Sequence, residues 1–309
     1  MENGKWTMEN ALLMWYSLTM NHAHPKIGIA LGSGGAKGLA HIGVLKALEF
    51  HGIPISYVAG ASIGALLGAY YAADPHVKKL EEFSLNFTAR KGFALFDPIL
   101  RGGFIKGNKI ENFISEMLEE ATFESLRIPY AAVATDFNTA EEVVFRKGDL
   151  VKAIRASISV PAIFQPVWYG DRLLADGGLS NPVPDRVVKD MGSDIVIAVN
   201  LDHFYIPEIA IPAPSLAKVP MHSIEILRHN LANYSITTAD IVIAPKLPQV
   251  GLVGWNYFFN AEKAQEIIKA GEDAAIEALP QIQELIKQRT KKHTFRHKLS
   301  TIIRTLRQK

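Results

Sequence analysis

An alternation of strand, glycine-rich turn and helix near the start of the chain constrains the fold more than any other feature. Lys26–Leu31 is a short apolar run that ends in a cluster of glycines, and apolar residues then recur at helical spacing. The pattern repeats once more before residue 74. The elements it predicts are a strand over Lys26–Leu31, a helix over Ala36–Phe50, a strand over Ile55–Ala59 and a helix over Ser62–Ala73. Two strands joined through a helix open a parallel sheet, so we expect an α/β fold.

The rest of the chain continues the alternation of strands and helices. Further strands are expected over Tyr130–Thr135, Glu142–Phe145, Arg172–Ala175, Ser193–Asn200 and Asp240–Ala244. Further helices are expected over Lys109–Leu118, Leu150–Ile158 and Asn260–Gln288. Asp97–Gly107 is rich in glycine and predicts a loop that could act as a flap near a site, and the four prolines of Phe204–Pro220 predict an irregular segment.

The second turn contains a serine between two glycines, Gly60-Ala61-Ser62-Ile63-Gly64. A sharp strand-to-helix turn holds the middle residue in a strained conformation and exposes its hydroxyl at the edge of the sheet. The pattern is short and common, and a serine that caps a helix is the plain alternative. Its place between an apolar strand and an apolar helix favours a nucleophile, so Ser62 is the candidate.

The first turn, Gly32-Ser33-Gly34-Gly35-Ala36-Lys37-Gly38, allows successive backbone amides to point into one concavity. Such a nest at the start of a helix binds an anion, and beside an activated serine that anion would be the oxyanion of an acyl-transfer intermediate. A nucleotide-binding loop is the alternative. Gly38 stands where a phosphate loop has serine or threonine, and the second strand ends in the Ser62 turn rather than in an acidic residue.

A third motif, Asp176-Gly177-Gly178, follows a short strand. Taken alone it predicts only a turn. A carboxylate in such a close-packed turn can also reach a serine hydroxyl and act as its general base.

Together and in this order, the three motifs resemble the patatin-like phospholipase family, including its bacterial members related to the neuropathy target esterase catalytic domain. The resemblance covers about Lys26 to Asn200 and includes the stretches Gly38–Leu45, Ala134-Thr135-Asp136 and Arg155-Ala156-Ser157 with Pro161. It implies a three-layer α/β/α sandwich with a mainly parallel central sheet. It also implies a lipid acyl hydrolase that cleaves fatty acyl esters such as phospholipids or lysophospholipids and needs no cofactor or metal.

The resemblance assigns roles position by position. Ser62 would be the nucleophile, Asp176 its base, and the amides near Gly34, Gly35 and Ala36 the oxyanion hole. The supporting motif residues are Gly32, Lys37, Gly38, Gly60, Gly64, Gly177 and Gly178. Two positions depart from the family pattern: Lys37, where arginine is frequent, and Ser33, where glycine is commoner. Lys37 either favours negative charge near the loop or pairs with a surface carboxylate.

A Ser-His-Asp triad is the rival arrangement. In the chain order Ser, Asp, His it requires a histidine after Asp176 in the sequence. His203, His222 and His229 satisfy that order, with His203 the strongest rival because it follows a strand end. His41 is expected to make a structural contact instead. Catalytically inactive, membrane-associated lipid binding and nucleotide binding are the alternatives outside hydrolysis.

Basic residues are concentrated in the last 25 residues of the sequence. Residues 285–309 carry nine Lys or Arg and no Asp or Glu, so the remainder is net acidic. Phe295, Leu299, Ile302, Ile303 and Leu306 fall on one helical face of this tail, which predicts either peripheral binding to an anionic membrane or packing on the acidic body. The tail lacks the interleaved aromatics of a nucleic-acid platform, so no nucleic-acid partner is expected.

We expect three segments: an N-terminal extension (1–25), one catalytic domain (26–284) with its core motifs in 26–200, and the basic tail (285–309). The chain has no cysteine, which excludes disulfides and thiol nucleophiles. With no clear signal peptide, this absence favours a cytoplasmic location, peripheral to the inner face of the cell membrane if the tail docks there.

Overall fold

A computed structural model of the chain describes residues 25–86, 97, 105–203, 218–248, 250 and 253–307. The strands are β1 (Ile27–Leu31), β2 (Ile55–Ala61), β3 (Tyr130–Asp136), β4 (Glu142–Phe145), β5 (Val167–Tyr169), β6 (Arg172–Asp176), β7 (Ile195–Val199) and β8 (Ile241–Ile243). The helices are α1 (Leu39–Phe50), α2 (Ile63–Ala73), α3 (Val77–Leu85), α4 (Asn108–Met117), α5 (Leu150–Ser157), α6 (Asp185–Asp190), α7 (Lys218–Ser235), α8 (Trp255–Phe258) and α9 (Ala261–Arg307). Short 3₁₀ turns occupy Gly35–Gly38 and Gly177–Leu179.

The strands form one sheet in the order β5-β6-β3-β2-β1-β7-β8, and β4 also pairs with β3. The pairs from β3 through β2, β1 and β7 to β8 are all parallel. Strands β4, β5 and β6 add antiparallel pairs at the other end. The sheet is therefore mixed and mostly parallel, which confirms the expected α/β class.

The two faces of the sheet carry side chains of different size. In β1, Ile27, Ile29 and Leu31 belong to the large core beneath α1, α2 and α9. Ala30 points to the opposite face and joins a smaller cluster with residues of β7 and α7. Helices thus cover both faces, because alternate residues of a fully buried strand must each find an apolar neighbour.

The topology gathers the three motifs at one edge of the sheet. The carboxyl ends of parallel strands lie at the same edge, so the glycine-rich turn after β1 and the Ser62 turn after β2 are neighbours. Strand β6 runs antiparallel to β3 and places Asp176 opposite Ala134, near the carboxyl end of β3. This pairing brings the third motif to the first two from a distant part of the sequence.

Most predicted elements match the observed ones to within two residues at each end. The prediction of an irregular segment up to Pro220 was wrong at its end, because α7 begins at Lys218 and holds that proline in its first turn. A proline is tolerated there, since the first amides of a helix have no intrahelical acceptor. The long helix was also predicted too short, since α9 continues to Arg307. Helices α3, α6, α7 and α8 and strand β5 were not predicted.

Several predictions concern residues that the structure does not describe. The N-terminal extension up to residue 24, the loop over 98–104 and the segment 204–217 lie outside the described residues. The division into extension, catalytic domain and tail remains a prediction. No helix in the described part of the chain is long and apolar enough to cross a membrane.

Candidate active site

Ser62 occupies the sharp turn between β2 and α2. Its backbone angles are φ 56° and ψ −125°, a left-handed conformation that a residue with a Cβ adopts only under strain, at a cost of about 1–3 kcal/mol. The flanking glycines permit the turn: a Cβ on Gly60 would lie 2.2 Å from the carbonyl oxygen of Gly64, and one on Gly64 would lie 2.1 Å from that of Leu31. The glycine-serine-glycine spacing therefore has a direct steric reason.

The strained turn is held by a buried serine on another element. The amide of Ser62 donates to Ser157 Oγ at 2.9 Å, and that hydroxyl donates onward to the carbonyl of Val133 at 2.5 Å. Ser157 is fully buried at the end of α5. Its side chain therefore fixes the backbone of the turn against β3.

The hydroxyl of Ser62 donates to Asp176 Oδ2 at 2.5 Å. The second carboxylate oxygen, Oδ1, accepts the amide of Gly178 at 2.8 Å. Burial raises the pKa of Asp176 to about 6, while the hydrogen bonds from Ser62 and Gly178 and the positive charge of Arg228 act in the opposite direction. A carboxylate with this pKa is still ionised at neutral pH and is a stronger base than a solvated one.

The backbone of Asp176 is fixed as firmly as its side chain. Its amide donates to the carbonyl of Ser159 at 3.0 Å, and its carbonyl accepts Thr135 Oγ1 at 2.8 Å. Ser157 and Thr135 were not assigned roles from the sequence. Both lie in short stretches that carried the family resemblance, and that was the only available signal, since hydroxyl residues are common.

The glycine-rich turn lies beside the pair. The amide of Ala36 donates to the carbonyl of Val253 at 2.8 Å, so it is already engaged. No acceptor within the described ranges is found for the amides of Gly34 and Gly35. An amide that is already paired cannot also stabilise an anion at full strength. Of the three amides expected from the sequence, those of Gly34 and Gly35 are therefore the better candidates for the oxyanion hole.

His41 contacts the backbone of the glycine-rich turn. Its Nε2 lies 2.8 Å from the carbonyl oxygen of Gly32, and burial lowers the pKa of the imidazole to about 4. The ring is therefore neutral at physiological pH and donates through Nε2–H. The contact is structural in kind, as the sequence predicted.

Two cavities meet at Ser62. The apolar pocket, as we call it, measures about 770 Å³ including its open mouth. Apart from Gly35 and Ser62 its lining is entirely apolar: Ile63, Leu66, Ile110, Phe113, Ile114, Ile158, Val160, Phe164, Val253, Trp255 and Phe258. The second cavity measures about 640 Å³, and we call it the polar pocket because it alone contains charged side chains, those of Asp176 and Arg228. The rest of its lining is largely apolar: Val160, Pro161, Leu179, Ile224, Leu227 and Leu231.

A buried ion cluster borders the polar pocket. Lys37 Nζ lies 2.7 Å from Asp202 Oδ1, and Arg228 Nε lies 2.6 Å from Asp202 Oδ2. The two cations hold the pKa of Asp202 below its ordinary value despite the opposing effect of burial. Lys37 therefore pairs with a carboxylate, as one of the two alternatives had it, but that carboxylate is buried and not on the surface. The sequence did not indicate Arg228, which lies far along the chain in a helix with no recognisable motif.

The histidines of the rival triad have other neighbours. His203 Nδ1 lies 2.9 Å from Asn233 Oδ1, His222 Nδ1 lies 3.3 Å from Glu225 Oε2, and His229 Nδ1 lies 2.6 Å from the carbonyl oxygen of Asp202. No histidine is among the described residues that line either pocket. The described residues also hold no group of three or more His, Asp or Glu side chains suited to a metal ion.

Comparison with known proteins agrees with the geometry. A patatin-like phospholipase model matches residues 29–188, which is more than half of the chain. The chain belongs to the patatin-like phospholipase family. The match includes the glycine-rich turn, the Ser62 turn and Asp176, so the resemblance noted from these motifs is confirmed at the level of the family.

Two named proteins of similar sequence show how much of the chain is shared. An uncharacterized NTE family protein of Mycobacterium tuberculosis is 41% identical over 182 residues, covering 58% of this chain and 49% of that protein. Neuropathy target esterase sws of Drosophila melanogaster is 34% identical over 185 residues, covering 57% of this chain and 13% of that protein. The chain therefore spans about half of the mycobacterial relative and a small part of the fly protein.

A solved structure shares the fold. VipD from Legionella pneumophila superposes with a TM-score of 0.56 over 84% of this chain and 67% of its own, at 13% identity. At that identity the similarity shows the fold and nothing more.

Proposed function

We propose that this chain is a serine esterase that cleaves fatty acyl esters with a Ser62–Asp176 dyad. The observation that carries the proposal is the 2.5 Å contact between Ser62 Oγ and Asp176 Oδ2 at the mouth of an apolar pocket. A nucleophile held by a buried base, next to free backbone donors, is the arrangement that acyl transfer requires.

In the first step, Ser62 Oγ attacks the ester carbonyl carbon and gives its proton to Asp176 Oδ2. The carbonyl oxygen becomes an oxyanion, which the amides of Gly34 and Gly35 stabilise. The N-terminal end of α2, where Ser62 lies, adds a favourable dipole. A single oxyanion donor typically contributes a factor of about 10²–10³ to kcat. The intermediate then collapses, and the departing alcohol takes the proton from Asp176.

In the second step, water attacks the acyl-enzyme. Asp176 takes a proton from the water as the second oxyanion forms in the same place. When that intermediate collapses, the carboxylic acid leaves and the proton returns to Ser62 Oγ. One carboxylate thus serves as base and acid in both halves of the reaction, and no histidine is needed.

The apolar pocket supports a fatty acyl chain as the group transferred. Apart from Ser62 and Gly35, its lining consists of aliphatic and aromatic side chains, which suit an acyl chain. The name of one relative, a neuropathy target esterase, supports the cleavage of an ester. Burial in such a pocket is worth about 0.8 kcal/mol per methylene, so long-chain esters are the expected substrates.

Labelling with a fluorophosphonate and hydrolysis of p-nitrophenyl esters test the dyad. Wild type should label and turn over, whereas Ser62→Ala should do neither and Asp176→Asn should lose at least about 10³-fold in kcat. Ser125→Ala is a matched control, since that hydroxyl lies in an exposed turn with Thr122. Activity retained in Ser62→Ala would refute the proposal. Failure of the wild type to label would favour an inactive lipid-binding protein.

The length of the acyl chain tests the apolar pocket. Leu66→Trp adds volume to the lining and should shift the preference from palmitate toward butyrate esters. The ratio of kcat/KM for the two esters measures the shift. An unchanged ratio would place the acyl chain elsewhere.

The basic tail supports a second, peripheral proposal, in which it binds anionic membranes. The backbone is helical through Arg307, as an amphipathic segment requires. Arg289, near the start of the tail, pairs with Asp240 of the body at 3.0 Å, so the truncation that tests the proposal keeps this residue. Binding of the full chain and of a chain ending at residue 290 to phosphatidylglycerol vesicles tests the proposal, and equal binding would remove it.

A further inference from the structure

One peptide unit sets the direction of an amide in the glycine-rich turn. The amide of Lys37 donates to the carbonyl of Gly34 at 3.2 Å. That carbonyl shares a rigid trans peptide unit with the amide of Gly35, and the two groups point in opposite directions. A hydrogen bond that holds the carbonyl of Gly34 therefore also sets the direction in which Gly35 offers its N–H beside Ser62, where Gly35 borders both pockets.

The side chain of Lys37 connects this turn to the segment that follows β7. Its Nζ lies 2.7 Å from Oδ1 of Asp202, which is buried. The neighbouring Leu201 packs against the same turn, since a Cβ on Gly34 would lie 2.9 Å from its Cδ1. The turn is thus held by its own backbone, by an apolar contact and by an ion pair.

Asp202 is itself fixed from several sides. Arg228 Nε and Nη2 lie 2.6 and 3.2 Å from its two carboxylate oxygens, and its amide donates to Asn200 Oδ1 at 3.0 Å. Asp176 lines the polar pocket together with Arg228, so two carboxylates here face two cations, Lys37 and Arg228. Because these charges balance, we expect the effect of Asp202 on the reaction to come from geometry and not from net charge.

We propose that Asp202 is a positioning residue for the reaction. By holding the side chain of Lys37, it keeps the amide of Gly35 directed at the oxyanion without touching the substrate itself. Charge-assisted hydrogen bonds of this kind are about twice as strong as neutral ones, and a displacement of about 1 Å at a reacting centre can cost about a hundredfold in rate. The inference rests on the proposed esterase function, because it requires an oxyanion that the amide stabilises.

A ketone to which Ser62 can add tests the direction of this amide. In a long-chain trifluoromethyl ketone the carbonyl carbon bonds to Ser62 Oγ, the serine proton passes to Asp176, and the carbonyl oxygen becomes an oxyanion. The corresponding trifluoromethyl alcohol cannot form that bond, so its affinity measures the pockets alone. Lys37→Met and Asp202→Asn should each weaken binding of the ketone by about tenfold or more, and should change the affinity for the alcohol by less than about twofold.

The two substitutions change the charge in opposite senses, which separates positioning from electrostatics. Lys37→Met removes a cation and Asp202→Asn removes an anion, so an effect of charge on the oxyanion would move the affinity for the ketone in opposite directions. A loss in both variants, with no larger loss when they are combined, supports positioning because the two residues then act as one unit. Opposite effects, or equal losses for the ketone and the alcohol, would overturn the inference.

A further variant covers the case in which Asp202→Asn does not fold. Asp202→Glu keeps the charge and displaces the carboxylate by one methylene, so it should still weaken binding of the ketone. Wild-type affinity for the ketone in this variant contradicts the inference.

Two controls complete the test. Glu81→Gln breaks another lysine pair, that of Lys46 and Glu81 at 2.8 Å, and should change neither affinity. The wild type should bind the ketone far more tightly than the alcohol. If it does not, Ser62 is not acting as a nucleophile, and the esterase proposal fails together with this inference. Failure of the inference alone leaves the preference of the wild type for the ketone intact.

Discussion

The pH dependence of hydrolysis follows from the environment of Asp176. Its carboxylate must be ionised to take the Ser62 proton, and burial raises its pKa to about 6. We therefore expect kcat/KM to be level above about pH 7 and to fall about tenfold for each pH unit below 6. At pH 5 the rate should be about one tenth of its plateau, and at pH 4 about one hundredth. An ordinary solvated aspartate, with its pKa near 3.8, would leave the rate at pH 5 almost unchanged.

A p-nitrophenyl ester with a short acyl chain, followed by quenching into alkaline buffer, measures this profile across the acid range. Circular dichroism at each pH separates loss of activity from unfolding. Asp74→Asn is a suitable control, because that carboxylate pairs with Lys79 and Arg127 on the surface. Its profile should match that of the wild type. A rate that stays level down to pH 4.5 would refute the assignment of Asp176 as the base.

Three further predictions concern stability and positioning. Asp176→Asn should raise the free energy of unfolding at pH 8 by up to about 3 kcal/mol, because the pKa of about 6 in the folded state lies above the unfolded value. The gain should disappear below about pH 3, where the carboxyl is protonated in both states because this pH lies under the unfolded value of 3.8, and urea denaturation at pH 8 and at about pH 3 measures it. Ser157→Ala should lower kcat about tenfold or more with little change in KM, because the strained backbone of Ser62 loses its hydrogen bond. Arg155→Met should lower the free energy of unfolding by about 3 kcal/mol in the same assay, since it leaves Ser159 and two backbone carbonyls without their donor.

The local motifs were predictable because their chemistry is confined to a few consecutive residues. Ser62 needs a glycine two residues away on each side so that a tight turn can form, and that requirement is visible in the sequence. Asp176 is recognisable for the same reason, through the two glycines that follow it. The parallel arrangement of the first two strands also followed from alternating strands and helices, since a helical connection returns the chain to pair in the same direction.

The contacts that complete the site were not predictable, because they join residues that are remote in sequence. Ser157 reaches Ser62 across 95 positions, and Val253 engages the amide of Ala36 through a loop that no pattern connects to the glycine-rich turn. Arg228 lies in α7, a helix that the sequence did not predict. Each depends on tertiary packing, which a reading of local periodicity does not contain.

The absence of a histidine from the proposed dyad gives the burial of Asp176 a direct part in proton transfer. In a triad the buried acid stays ionised and the imidazole carries the proton. In a dyad the carboxylate itself takes the proton, and a solvated carboxylate is too weak a base for that role at neutral pH. Burial strengthens the base, whereas Ser62, Gly178 and Arg228 keep it ionised until substrate arrives. When the proton moves, the negative charge moves from the carboxylate to the oxyanion, which the backbone amides of Gly34 and Gly35 are proposed to stabilise.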